Sequence, residues 1–241
     1  METDISGATG YTVNAQYYDL IFPAEHRDAL RAGLGVVLAG AARVVEIGSG
    51  TGLFTETLLA NLPAGGEVFA VEPAPVMRAA LTTRLAALGD PPVTVLPDSG
   101  LTADVDGPLD AVVLLHVLTH FSPADRQTLW RHWVPRLRHG GLVVVDVQAP
   151  QEPVAVPATV IPGRALGRRR YDTVAEAVVD GDRLVWTMTY RVHEGDRLVS
   201  AESVSFPSFV ASDEQLRAEL REAGCEPVAD VPAGMSAWRR R

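Results

Sequence analysis

VVEIGSGTG, residues 44–52, is a β-branched run that breaks into glycines at 48, 50 and 52, with one carboxylate, Glu46, just ahead of them. Glycines at that spacing let a ligand approach the main chain closely. The run passes into the amphipathic TGLFTETLLANL, residues 51–62, so the segment reads as strand, glycine loop and helix. Outward from it the alternation continues. EVFAVE (67–72), VTVLPD (93–98), DAVVLLH (110–116) and GLVVVDV (141–147) are strand-like, while PVMRAALTTRLAAL (75–88) and SPADRQTLWRHWVPRL (122–137) carry helical patterning. Continuous apolar strands separated by single helices predict an α/β fold, a Rossmann-like parallel sheet covered on both faces. Ligands of such sheets sit in the crevice beyond the carboxyl ends of the strands, so chemistry is expected there.

Two regions leave this rhythm. Residues 1–40 are expected to be helical, with aromatics near their start, and to lie as a lid over a core at 41–150. Between Arg164 and Phe209 the pattern changes to β-type runs separated by the turn signals DGD and EGD, which predicts an antiparallel cap inserted into the fold. SDEQLRAELREAG follows, with Ser212 as N-cap and Gly224 as terminator, and the tail CEPVADV with MSAWRRR predicts a closing antiparallel strand pair within residues 210–241. No repeat interrupts the chain, which reads as one continuous domain.

Composition narrows the classes. At 241 residues with 47% hydrophobic and 21% charged residues, the chain is globular in type. The longest apolar runs fall far short of the roughly 18–20 residues that a spanning helix needs. No basic, apolar leader opens the sequence, and Cys225 is the single cysteine; together these predict a cytoplasmic protein without an internal disulfide. A net charge of −9 argues against a nucleic-acid partner, whose affinity depends on phosphate neutralisation. The short clusters Arg168–Arg170 and Arg239–Arg241 read as solvated surface.

The acid in the opening stretch selects the ligand. A dinucleotide site asks for G-x-G-x-x-G, whereas these glycines follow G-x-G-x-G, and Glu46 would repel a partly desolvated diphosphate by on the order of a few kcal/mol. A phosphate-free ligand bearing a ribose, an ammonium and a sulfonium suits the loop better, and S-adenosylmethionine has these groups. Glu72 ends the next strand twenty residues beyond Gly52, where an acid can accept from two ribose hydroxyls. Asp98 and Ser99 end the following strand, where an acid can accept from an adenine amino group.

VVEIGSGTG, VFAVEPAPVM and RHGGLVVVDV, spanning 44–147, resemble the glycine loop, acidic strand end and late Gly-Gly strand of the class I S-adenosylmethionine-dependent methyltransferases. The resemblance implies a seven-stranded sheet with an antiparallel last strand. It also implies Glu46, Gly48, Ser49, Gly50 and Gly52 around the methionine part, Glu72 on the ribose, Pro73 and Met77 beside the adenine, and Asp98 with Ser99 at its edge. The N-terminal YYDLIF, the HF after the fourth strand and the insertion are similar to bacterial small-molecule methyltransferases of natural-product pathways, the aminosugar N-methyltransferases among them. By that similarity Tyr11 faces the acceptor and Tyr18 closes over the cofactor.

Methyl transfer is an in-line displacement, so the enzyme chiefly positions the nucleophile, and a base is needed only for a protonated acceptor. His116 and His120 follow the fourth strand. His116 is expected to touch the cofactor, and His120 to act as base or acceptor-orienting group. The pair lacks the glutamate and third ligand of a zinc site, and no metal is expected. Asp146 has no partner visible in the sequence. Tyr17, Phe22, Tyr171, Trp186, Tyr190, Phe206 and Phe209 can wall an acceptor pocket or serve as packing and cross-strand pairs.

The polar-Pro-Pro-aromatic tetrapeptide of amino-methylating DNA enzymes is absent at HVLT, and Cys225 is no Pro-Cys nucleophile. These exclusions leave a small-molecule acceptor with an O, N or C nucleophile, and neither nucleic acid nor membrane as partner. The rival readings are a nicotinamide oxidoreductase and an S-adenosylmethionine-binding protein without transferase activity. The oligomeric state is open.

Overall fold

The computed structural model describes residues 11–241. The part of the predicted lid before residue 11 lies outside the described residues. The chain divides into two compact units, one built from Asp28–Gln151 with Ala211–Arg241, the other from the segment ending at Arg27 with Glu152–Val210.

The first unit is the α/β unit. Strands β1 (Arg43–Ile47), β2 (Glu67–Val71), β3 (Val93–Leu96), β4 (Leu109–Leu114), β5 (Leu137–Asp146), β10 (Cys225–Pro227) and β11 (Met235–Arg240) form a seven-stranded sheet in the order β10-β11-β5-β4-β1-β2-β3. β1 to β5 pair in parallel, while β11 runs antiparallel to both β5 and β10. The expected antiparallel tail pair is present. Parallel strands need crossovers, and the helices α3 (Thr55–Asn61), α4 (Pro75–Ala86) and α5 (Pro123–Trp133) supply them.

Alternate residues of β1 serve opposite faces. Val45 and Ile47 enter a cluster with Leu129, Trp130 and Trp133 of α5 and with Leu216 and Leu220 of α6 (Asp213–Glu222), whereas Val44 faces Leu34 of α2 (Ala24–Val37), Leu38 just beyond that helix, and Leu58 of α3. Both cores are hydrocarbon, and burial of each Leu or Val contributes about 1.5–3 kcal/mol. One ionic group interrupts the first: fully buried Arg126 is gripped by Glu219, which also accepts from Trp130 Nε1 at 2.9 Å, so α5 and α6 are locked by a satisfied charge pair. Ser212 caps α6 by accepting from the Gln215 amide, and Gly224 follows at φ 89°, as the sequence predicts.

The second unit holds an antiparallel sheet in the order β6-β7-β8-β9: β6 (Val156–Leu166), β7 (Arg169–Asp180), β8 (Arg183–Glu194) and β9 (Arg197–Phe209). The turn signals lie where they were expected, at Gly181 and Gly195, both with positive φ. The sheet begins at Val156 rather than Arg164, because β6 was not legible: Pro157 and Pro162 break a strand pattern, and only an edge strand tolerates them. α1 (Tyr18–Ile21) belongs to this unit; Tyr17, just ahead of it, stacks on Tyr190 at 4.8 Å between ring centroids and donates to Glu202 at 2.8 Å. Trp186 sits directly opposite Phe206 in the β8/β9 ladder. Tyr17, Tyr190, Trp186 and Phe206 thus hold this unit together by packing. No helix among the described residues is long and apolar enough to cross a membrane.

Candidate functional site

The loop after β1 is built by its glycines. Gly48, Gly50 and Gly52 have φ of 73°, 56° and 85°, conformations that other residues rarely hold. At Gly48 the restriction is also steric, since an added Cβ would stand 2.6 Å from Val117, and at Gly52 it would stand 2.7 Å from Leu81. Gly50 differs: a Cβ there would have only the Gly48 carbonyl oxygen as a neighbour, at 4.0 Å. The loop is therefore packed at Gly48 and Gly52 and open at Gly50, where a ligand can lie against the backbone.

Glu72, at the end of β2, fastens this loop. Its Oε2 accepts from the Gly50 amide and its Oε1 from the Ala74 amide, both at 2.8 Å. Burial raises its carboxyl above the ordinary range, and those two amides oppose the shift. Each oxygen keeps a further lone pair, so the carboxylate can accept from two vicinal hydroxyls while still holding the loop.

Glu46 has another part. It is 3% exposed, and its Oε2 accepts from the hydroxyl of Thr55, the first residue of α3. Desolvation pushes its carboxyl up to about 7, against the bonds from Thr55 and Ser49. Glu46 thus ties the end of β1 to the first turn of α3. Ser49 is likewise buried, its hydroxyl donating to the Glu46 carbonyl at 3.2 Å.

The remaining positions separate by exposure. Pro73 is exposed two residues ahead of α4, whereas Met77 is 1% exposed and shares the inward face of that helix with Leu81 and Leu85. Asp98 is exposed after β3, and the Ser99 hydroxyl accepts from the Leu101 amide at 3.2 Å, shaping a turn. Tyr11 and Tyr18 belong to the unit that holds the antiparallel sheet; Tyr18 packs against Phe22 with centroids 5.8 Å apart.

Beyond β4 lie the histidines. His120 ends a short 3-10 turn, its amide bonded to the Val117 carbonyl at 3.0 Å. The residue is exposed, and desolvation by the surrounding chain holds its imidazole below the ordinary range. His116 has φ 54° and faces Asp146 at the end of β5, with Nε2 3.3 Å from Oδ2. The parallel pairing of β4 and β5 brings the two strand ends side by side.

Sheet order, glycine loop and acidic strand ends define a class of fold that other proteins share. Residues 45–143 match the family model described as a methyltransferase domain. No curated protein matches the chain. Among solved structures, the chain is similar to CalS10, an amino pentose methyltransferase from Micromonospora echinaspora involved in calicheamicin biosynthesis, with S-adenosylmethionine bound: 19% identity over 100% of this chain and 98% of that one, at a TM-score of 0.70. The sugar N-methyltransferase KedS8 from Streptoalloteichus gives 22% identity, 100% and 93% coverage and a TM-score of 0.69. The CcbJ methyltransferase from Streptomyces caelestis gives 21% identity, 94% and 96% coverage and a TM-score of 0.70. The chain shares the fold of these methyltransferase structures, and its residues 45–143 match a methyltransferase domain.

Proposed function

We propose that the protein methylates an O, N or C nucleophile of a small-molecule metabolite in natural-product biosynthesis, with the amine of a sugar as the first candidate. The observation that carries this reading is the glycine loop, open at Gly50 and tied there to Glu72, within a stretch that matches a methyltransferase domain. The sugar and natural-product enzymes of similar fold support the acceptor class.

The residues fit the donor. Gly50 gives it backbone to lie against, Glu72 gives its ribose a carboxylate, and Glu46 places a titrating acid behind the loop, where a sulfonium or ammonium favours the ionised form. Pro73, Asp98 and Ser99 are the proposed adenine-side residues, His120 the group that orients the acceptor, and Tyr11 and Tyr18 the proposed aromatic contacts. The donor, when bound, supplies an activated methyl carbon; the chain's task is to align the acceptor and exclude water. The cytoplasm is the proposed compartment, on the sequence having a single cysteine.

Calorimetry with S-adenosylmethionine and S-adenosylhomocysteine is the direct test, and absence of binding of either at millimolar concentration ends the reading. Incubation of the protein and donor with a panel of free and nucleotide-linked amino sugars then identifies the acceptor by a mass gain of about 14 Da.

A further inference from the structure

α4 opens against the usual arrangement of helix charge. Its first turn holds no acid, and its fourth residue, Arg78, is a cation near the helix end that favours anions. Helix stability does not call for an arginine there, but its partners do. Nη1 of Arg78 donates to the Glu72 carbonyl at 2.8 Å and to the Pro73 carbonyl at 2.6 Å, on the strand end that carries the proposed ribose acid.

The Glu72 amide is on the Leu96 carbonyl at 3.0 Å and the Ala74 amide on Glu72 Oε1 at 2.8 Å, so each peptide unit from Glu72 to Ala74 is tied. The acid is thus held through its main chain as well as its side chain. Both carbonyls that Arg78 engages are neutral, and its charge lowers the Glu72 carboxyl against the rise that burial causes. A second arginine of the same helix offers a contrast. Arg84 donates from Nε to the Thr51 carbonyl of the glycine loop at 2.9 Å, while its Nη1 meets Glu56 of α3 at 2.8 Å. It fastens the loop, and a carboxylate already answers its charge.

We propose that Arg78 is a positioning residue of the donor site, acting through Glu72: it fixes the main chain that carries this acid and places a positive charge beside it. The proposal rests on the methyltransferase reading above, with Glu72 on the ribose. Ribose hydroxyls donate best to an ionised carboxylate, so donor affinity is full above the folded pKa of Glu72 and falls as pH drops through it. Loss of the Arg78 charge raises that pKa further and moves the fall to higher pH. Glu46 of β1, also coupled to Glu72, is common to every variant compared.

Calorimetric titration of the full chain with S-adenosylhomocysteine between about pH 5.5 and 8.5 tests it. Arg78→Ala is expected to weaken binding about tenfold at the alkaline end and to move the acid-side fall upward by about 0.5 in pH or more. Arg78→Lys keeps the charge without the planar fork, so it weakens binding while the fall stays at its wild-type pH. Arg84→Ala is expected to do the same. Should Arg78→Ala fail to fold, Arg78→Gln, uncharged but still a donor, decides by the same shift. Unchanged affinity on loss of the Arg78 charge overturns the proposal, and so does weakened affinity with a wild-type pH profile, which marks a merely structural role. An equal shift in Arg84→Ala or Arg78→Lys overturns it as well. No binding by the wild type, in contrast, overturns the methyltransferase reading itself.

Discussion

Glu46 near the end of β1 and Asp146 at the end of β5 are both buried acids that desolvation pushes to about 7, yet their surroundings treat them differently. Glu46 has the Thr55 hydroxyl on one oxygen and sits behind a loop whose amides are committed: Gly48 and Ser49 to the Val71 carbonyl, Gly50 to Glu72, Gly52 to the Ser49 carbonyl. Asp146 accepts the His116 amide and a bond from the Gln148 side chain, and its Oδ2 stands beside the His116 ring. Equal desolvation therefore does not mean an equal role. The partners differ: Glu46 is tied to the hydroxyl that starts α3, Asp146 to the backbone that follows the neighbouring strand β4.

The comparison can be broken first at the loop. Gly48→Ala forces a side chain into the left-handed region and into Val117, which together should cost about 3 kcal/mol or more by chemical denaturation. A loss under about 1 kcal/mol would mean that the loop repacks freely and is no rigid scaffold. Next in size, Glu72→Ala strands the Gly50 and Ala74 amides; it should cost about 2 kcal/mol and lower donor affinity at least about tenfold by calorimetry. Native-like affinity would detach Glu72 from the ribose.

The smallest effect sharpens the contrast between the two acids. Each has a folded pKa raised above its unfolded value, 4.5 for Glu46 and 3.8 for Asp146, so the folded state holds the proton over a window in which the unfolded chain has lost it. Stability is then full below those unfolded values and falls as pH rises through about 7. Denaturation midpoints followed across this window should flatten in Glu46→Gln and in Asp146→Asn. A slope unchanged in either variant would remove that acid from the comparison.

The parts of the fold that were legible are those where one local rule sufficed. Alternate glycines after a β-branched run, acids on successive strand ends, Ser212 ahead of an amphipathic helix and two Gly turns each announce themselves within a few residues. What was hidden depended on distance or context. His116 and Asp146 are thirty residues apart, and only the register that sets Leu114 against Val145 joins them. Both strands had been read, so the neighbourhood of their ends was deducible, but the left-handed turn that presents His116 was not. β6 was hidden by prolines that would disqualify an interior strand.

Those prolines bear on how the protein behaves in a crowded solution. Pro157 and Pro162 in β6 and Pro207 in β9 occupy the outermost strands of the four-stranded sheet, and each removes one amide donor there. An extended segment from another molecule meets an interrupted ladder at either edge, which discourages templated β-aggregation of a sheet whose flank exposes Val160 and Leu166.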